Sequence, residues 1–249
     1  MFRLLALLTL LGTPAVAQEE IVLGLSQDEV AITATFEGSE ILVFGAVRRE
    51  APLPDGDLGV IVTVAGPDMP TTVYRKERRL GIWVNVDDVR IESAPSFYAV
   101  ATSGPIKEIL RASEDLRYRI STRQAVRQVG TNVLDSRSFA RALMRIREST
   151  SLYQTLEQSV DLSRDTLFNT SITMPANLTE GDYVARIFLT RGGDVVDSYE
   201  TTIPVKKVGL ERWLYNLAHE NAMLYGLMSL AIAIASGWLA SAAFGLLRR

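Results

Sequence analysis

From Ala222 to Leu247 the chain carries no charged residue, and this run constrains the architecture more than any other feature. As an α-helix rising 1.5 Å per residue it reaches about 39 Å, beyond the roughly 30 Å thickness of bilayer hydrocarbon, so it can span with some tilt. Arg248 and Arg249 follow at once, and positive charge beside a span favours the cytoplasmic side. The rest of the chain is then expected on the far side of the membrane.

The opposite end agrees. Arg3 precedes an apolar run from Leu4 to Leu11, then Gly12, Thr13, Pro14 and the small-residue tripeptide Ala15-Val16-Ala17. These are the three parts of a secretory signal peptide over residues 1–17, with cleavage expected between Ala17 and Gln18. The rival reading is an uncleaved anchor, for which the run is short and interrupted by helix-breaking residues. Both ends predict a single-pass inner (cell) membrane protein with a periplasmic N-terminal domain and a cytoplasmic C-terminus.

Residues 208–221 precede the span. Leu210, Trp213, Leu214 and Leu217 recur at helical spacing with Glu211, Arg212 and Asn216 between them, and Tyr215 and Tyr225 lie nearby. The pattern predicts a juxtamembrane amphipathic helix at headgroup level, the alternative being packing against the exported domain. Within the 222–247 helix, Ser229, Ala233, Gly237, Ser241 and Gly245 repeat every fourth residue. Such a small-residue row lets a second helix approach closely, so a polytopic membrane protein or a second copy of the chain is the expected lateral partner.

Between the ends lie roughly 190 residues, enough for a substantial core. From Ile21 to Thr102 short β-rich runs alternate with turns: Val30, Ile32, Ala34 and Phe36 interleave with polar or small residues, Ile41 to Val47, Leu58 to Val64 and Thr71 to Tyr74 follow, and Val84 to Ile91 and Phe97 to Ala101 complete six or seven strands. Strand signals return at Leu167 to Thr173, and Arg191-Gly192-Gly193-Asp194 between two further runs is a hairpin signature. The fold class expected is mainly β: an immunoglobulin-like antiparallel sandwich built from 18–104 and 165–207. Two separate β domains are the alternative. Gly104 and Pro105 open a different pattern, a basic helical insertion over 105–164, with two helices or one interrupted near Gly130 to Asn132.

The chemistry legible in the sequence is mostly exclusion. The chain has no cysteine, which removes disulfides, thiol catalysis and thiolate metal sites. A net charge of −3 gives no reason to expect nucleic acid. His219 is the only histidine, so neither a His-His metal pair nor a Ser-His-Asp arrangement is legible, and no phosphate-binding glycine loop is present. Neither enzyme activity, a metal nor a cofactor is expected. The insertion is rich in arginine, and Arg137, Arg141 and Arg145, spaced four apart, share one helical face. Guanidinium forks match oxyanions, so this face is a candidate contact for an anion or lipid headgroup, against the plainer reading of a solvated face. Arg75, Lys76, Arg78 and Arg79 read as a charged strand edge that discourages sheet aggregation, and Trp83 as a core aromatic.

Gly81-Ile82-Trp83-Val84-Asn85, Pro95-Ser96-Phe97-Tyr98-Ala99 and Pro204-Val205-Lys206-Lys207-Val208-Gly209 resemble stretches of an uncharacterised alphaproteobacterial family of transmembrane proteins. The resemblance covers the whole mature chain and carries no catalytic residues. It implies a place beside sulfite-exporter-type permeases, as an association without a mechanism. The function expected is therefore a membrane-anchored periplasmic accessory or binding module. The alternative is a structural or scaffolding envelope protein without a small-molecule ligand.

Overall fold

The computed structural model describes residues 19–27, 29–32, 38–49, 56–126, 136–207 and 210–247. The signal-type segment, the Gly130 to Asn132 interruption, Ala34 and Phe36, and the terminal arginines lie outside the described residues. Seven strands come first: β1 Glu19–Leu25, β2 Val30–Ile32, β3 Gly38–Arg49, β4 Leu58–Ala65, β5 Asp68–Arg79, β6 Ile82–Pro95 and β7 Tyr98–Thr102. Helices α1 Ile106–Ile109, α2 Ala112–Tyr118, α3 Thr122–Ala125 and α4 Ser136–Ser149 follow. Strands β8 Tyr153–Leu156, β9 Asp161–Ser163, β10 Leu167–Pro175, β11 Gly181–Arg191 and β12 Asp194–Lys207 then lead to helices α5 Leu210–Glu220 and α6 Ala222–Leu247.

The strands form a four-stranded sheet, β1-β3-β10-β9, a six-stranded sheet, β2-β12-β11-β4-β7-β8, and the separate two-stranded hairpin β5-β6. Ile41, Val43, Phe168 and Ile172 from the smaller sheet meet Val60, Val62, Ile187 and Ile203 from the larger in one buried core. The larger sheet is covered on its other face too. Ile61, Tyr98, Val100 and Phe188 pack there against Leu110, Ile120, Phe139 and Leu143 of the helical layer and against Val73, Val89 and Ile91 of the hairpin. That double burial explains why β4 and β7 read as near-continuous apolar runs, whereas β10, with one face wet, alternates strictly. Burying apolar area on both faces adds stability in proportion to that area, which a domain without disulfides needs from its core.

Three details depart from the sequence reading. Strands β8 and β9 lie inside the stretch 105–164 expected to be helical, and each joins a sheet. β8 pairs with β7 in parallel, because a helical connection between them carries the chain back to the same end of the sheet before it re-enters. The sandwich is also not purely antiparallel at its other edge, where β2 pairs in parallel with β12. Helix α4 stops at Ser149, well short of residue 164, the expected end of the helical insertion, since Leu152 and Tyr153 turn inward to the sheet.

The hairpin β5-β6 continues the β4–β7 ladder. Ala65 pairs with Tyr98, the Gly66 amide donates to the Phe97 carbonyl at 2.8 Å, the Ser96 amide to the Pro67 carbonyl at 2.9 Å, and Asp68 pairs with Pro95. Two long strands therefore run on past the sheet edge. Only their lower part, through Val73, Val89 and Ile91, is covered.

Candidate functional site

The long hairpin leaves a cleft between its β5 arm and α4. Helix α4 buries Phe139, Ala140 and Leu143 while Arg137, Arg141 and Arg145 remain exposed, as expected when apolar and charged residues segregate at helical spacing. Opposite them, β5 supplies Arg75 and Lys76. Val73, Tyr74, Arg75, Lys76, Ser138, Phe139, Arg141, Ala142 and Arg145 line a space of about 670 Å³. A neighbouring space of about 680 Å³ is lined by Arg123, Arg137, Arg141 and Met144, so Arg141 stands between the two.

Arg75 is held in place rather than free to swing. Its guanidinium lies 4.7 Å from the centroid of the Phe139 ring, donates to Ser138 Oγ at 3.1 Å, and sits 3.4 Å from Asp87 Oδ2. Arg141 donates to the Arg137 carbonyl at 3.4 Å. Among the described residues no carboxylate lines either space. The local field is strongly positive, and guanidinium forks beside a hydroxyl suit a multi-oxygen anion.

Three other basic residues of the insertion are engaged elsewhere. Arg147 donates to the Ser96 carbonyl at 2.7 Å, Arg111 is paired with Asp194, and Arg117 lies 4.0 Å from Glu114. Arg127 lies outside the described residues. The arginine face of α4 legible in the sequence thus borders the cleft, while its partners across it are not legible. Arg75 and Lys76 belong to the cleft rather than to a strand edge alone, and no local signal announces this because they are sixty or more positions from α4.

Burial removes the nearby phenols from acid-base work. The Tyr98 hydroxyl is pushed up to about 12 by desolvation and donates to the Ile120 carbonyl at 2.7 Å. Tyr153 is raised for the same reason and donates to the Pro95 carbonyl at 2.8 Å. Both stay protonated and act as donors pinning loops. Tyr153→Phe leaves the buried Pro95 carbonyl without that donor and is expected to cost about 1–3 kcal/mol in denaturant unfolding. Among the described residues no group of three or more His, Cys, Asp or Glu is arranged to hold a metal ion.

Trp83 corrects the sequence expectation. It is no core aromatic: it stands near the hairpin tip, paired across the strands with Arg78, and is 67 % exposed. Toward the membrane α5 runs on into α6, the Asn221 amide donating to the Leu217 carbonyl and the Tyr225 amide to the Asn221 carbonyl at 3.1 Å each; Trp213 and Tyr215 are exposed, the His219 ring stacks on Tyr215 at 4.0 Å and its Nδ1 lies 2.9 Å from the Tyr215 carbonyl oxygen. The stretch Ala222–Ser241 has a mean hydropathy of 1.7 and none of it is buried against the protein. Ser229, Ala233, Gly237 and Ser241 are all exposed, as are most of their neighbours on the helix, and a side chain added at Gly237 would meet nothing within 4 Å. Gly245 lies on the same helix.

A family model described as "Putative transmembrane protein (Alph_Pro_TM)" matches residues 20–245. The chain belongs to this family. Its members are transmembrane proteins by description, in keeping with a mainly β chain that carries one C-terminal apolar helix. No curated protein matches the sequence. Among solved structures the chain is similar to Spo0M, a sporulation control protein from Bacillus subtilis, at 12 % identity and a TM-score of 0.26. The match covers 83 % of this chain and 55 % of Spo0M, and a likeness at that level carries no argument about fold or function.

Proposed function

We propose that the protein is a membrane-anchored periplasmic binding module, an accessory to an envelope complex, whose basic cleft takes a small oxyanion or an anionic headgroup. The observation that carries this reading is the convergence of Arg75 and Lys76 from the hairpin with Arg141 and Arg145 from α4 on one cleft. The role is binding without catalysis. The single span, the signal-type N-terminus and the two terminal arginines support an inner-membrane location with the sandwich outside and the C-terminus inside. The strand order supports an immunoglobulin-like reading of the sandwich: four strands face an extended second sheet as in variable-type domains, with the hairpin and helices inserted among the added edge strands.

A thermal-shift titration of the full chain in mild detergent with sulfite, sulfate and phosphate tests the cleft. A ligand bound only by the folded state adds about 2.7 kcal/mol at a hundredfold excess over Kd, so the melting temperature should climb with concentration. The double variant Arg141→Glu, Arg145→Glu changes exposed positions and should melt within about 0.5 kcal/mol of the parent, yet lose the response. A melting curve indifferent to all three anions would remove the small-anion reading and favour a scaffolding role.

The accessory part of the proposal rests on the small-residue row. Co-purification in mild detergent is expected to recover a multi-span partner, a sulfite-exporter-type permease being the class the family resemblance suggests. Replacing Ala233 and Gly237 with Leu should abolish that recovery by blocking close helix approach. Recovery unaffected by the change would exclude the row as the docking face.

A further inference from the structure

The tip of the long hairpin is built against the ordinary rules for a solvent-exposed turn. Arg79 pairs with Ile82, leaving Leu80 and Gly81 as a two-residue connection with φ of +50° and +86°. Positive φ at both central positions is the turn geometry that favours Asn-Gly or Gly-Gly, as at Gly192-Gly193 in the β11–β12 hairpin, where both angles are again positive. A leucine at the first position pays a steric penalty in its backbone and gains nothing from packing, since Leu80 is 104 % exposed. Ile82 and Trp83 beside it are 65 % and 67 % exposed. Strain and exposed apolar surface at the same four residues point to a role outside the fold.

Three observations say what covers them. First, the tip is amphipathic: Lys76, Arg78 and Arg79 against Glu77 form a basic collar behind an apolar cap, the distribution that suits an anionic headgroup layer above acyl chains. Trp is also the side chain that partitions best to that boundary. Second, the protein is already tied to a bilayer through α6, so the membrane is always within reach. Third, the hairpin and the anchor leave the sandwich at the same end. Ala65, from which the hairpin departs, pairs with Val184, and three residues earlier on that strand Gly181 pairs with Val205 near the end of β12. The arm from Asp68 to Leu80 is about 40 Å long at the usual strand rise. The α5 segment before the span is about 16 Å if laid end to end, so the arm is long enough to bridge the gap.

We infer that the Leu80-Gly81-Ile82-Trp83 tip dips into the outer leaflet of the membrane that holds α6, with Lys76, Arg78 and Arg79 on anionic phospholipid headgroups. The sandwich then has two attachments to the bilayer, one covalent through the chain and one through the hairpin. The second fixes the open side of the basic cleft relative to the membrane, because β5 forms both the arm and one cleft wall.

The test uses the full chain with Trp213→Phe and Trp238→Phe, which leaves Trp83 as the sole tryptophan, in nanodiscs of phosphatidylglycerol and phosphatidylcholine. Bromine on the acyl chains should quench Trp83 about twofold, with blue-shifted emission and poor access to acrylamide, as for an interfacial indole. Leu80→Asn places a residue suited to the turn at the strained position, so the protein should melt no lower while the quenching falls. Arg78→Glu with Arg79→Glu should reduce it further, as should discs of phosphatidylcholine alone. If Trp83 in the folded protein stays open to acrylamide and indifferent to brominated lipid, the inference is overturned and the tip is left to a protein partner. The cleft variant Arg141→Glu, Arg145→Glu should not alter Trp83 quenching, so failure of anion binding and failure of tip insertion are separate results.

Discussion

Glu19→Ala is expected to cost the sandwich about 3 kcal/mol, because it strips a shared, charged hydrogen-bond partner from two half-buried guanidiniums. Glu19 is 6 % exposed, and its carboxylate lies 2.7 Å from Arg49 Nε and 2.8 Å from Arg191 Nη2. The two arginines come from different sheets, β3 and β11, so this carboxylate stitches the sandwich together at the start of β1. Burial opposes its ionisation, but hydrogen bonds and charge from Arg191 and Arg49 outweigh that and hold the carboxyl below its ordinary 4.5. A depressed folded value has a definite pH signature. The ionised pair stabilises the fold above the ordinary value, and that stability is lost as pH falls through the lower, folded one. Urea midpoints of the full chain in detergent should therefore drop on acidification below about pH 4.5, and Glu19→Gln should flatten that dependence. A parental and a Glu19→Gln profile of equal slope would refute the assignment.

Phe188→Ala should cost about as much, roughly 3–5 kcal/mol, by a different mechanism. Phe188 is 2 % exposed on the helix-covered face of β11, edge-on to Tyr118 at 5.6 Å, with the Arg186 guanidinium 5.3 Å from its ring. Its neighbour Ile187 points the opposite way, into the core between the sheets. Truncation at 188 should therefore open a cavity under α2 while leaving the sandwich core filled. Hydrogen exchange should accelerate first in residues 112–126, and the urea midpoint should fall. A loss under about 1 kcal/mol would mean that the helical layer collapses onto the gap instead.

These two residues also mark what a linear reading can reach. β11 was legible as a strand, yet nothing in its sequence says that both faces are covered, since a continuous apolar run fits a buried strand or a buried helix equally. Nothing beside Glu19 in the sequence marks it out. Its importance depends on Arg49 and Arg191, which are thirty and more than a hundred and seventy positions away. Trp83 departs from its local pattern for a related reason: an aromatic between Ile82 and Val84 matches a core strand, and only the length of the hairpin carries it beyond the helical layer. In the basic cleft, the arginine row of α4 was found from its four-residue spacing, whereas Arg75 and Lys76 were assigned to a strand edge.

Features that depend on neighbours along the chain are legible before any fold: the apolar span, the amphipathic stripe before it, the Gly-Gly hairpin, the mainly β pattern, the arginine face and the family. Periodicity and turn chemistry are local, so they survive without a fold. Only the folded chain sets which strands share a sheet, buries the larger sheet on both faces, lets β5 turn one side of α4 into a cleft, and leaves the hairpin tip uncovered by the rest of the protein on the side from which the anchor departs. Those outcomes depend on pairing residues distant in sequence, where the gain from burial must exceed the entropy of closing long loops, and no local pattern records which pairing wins.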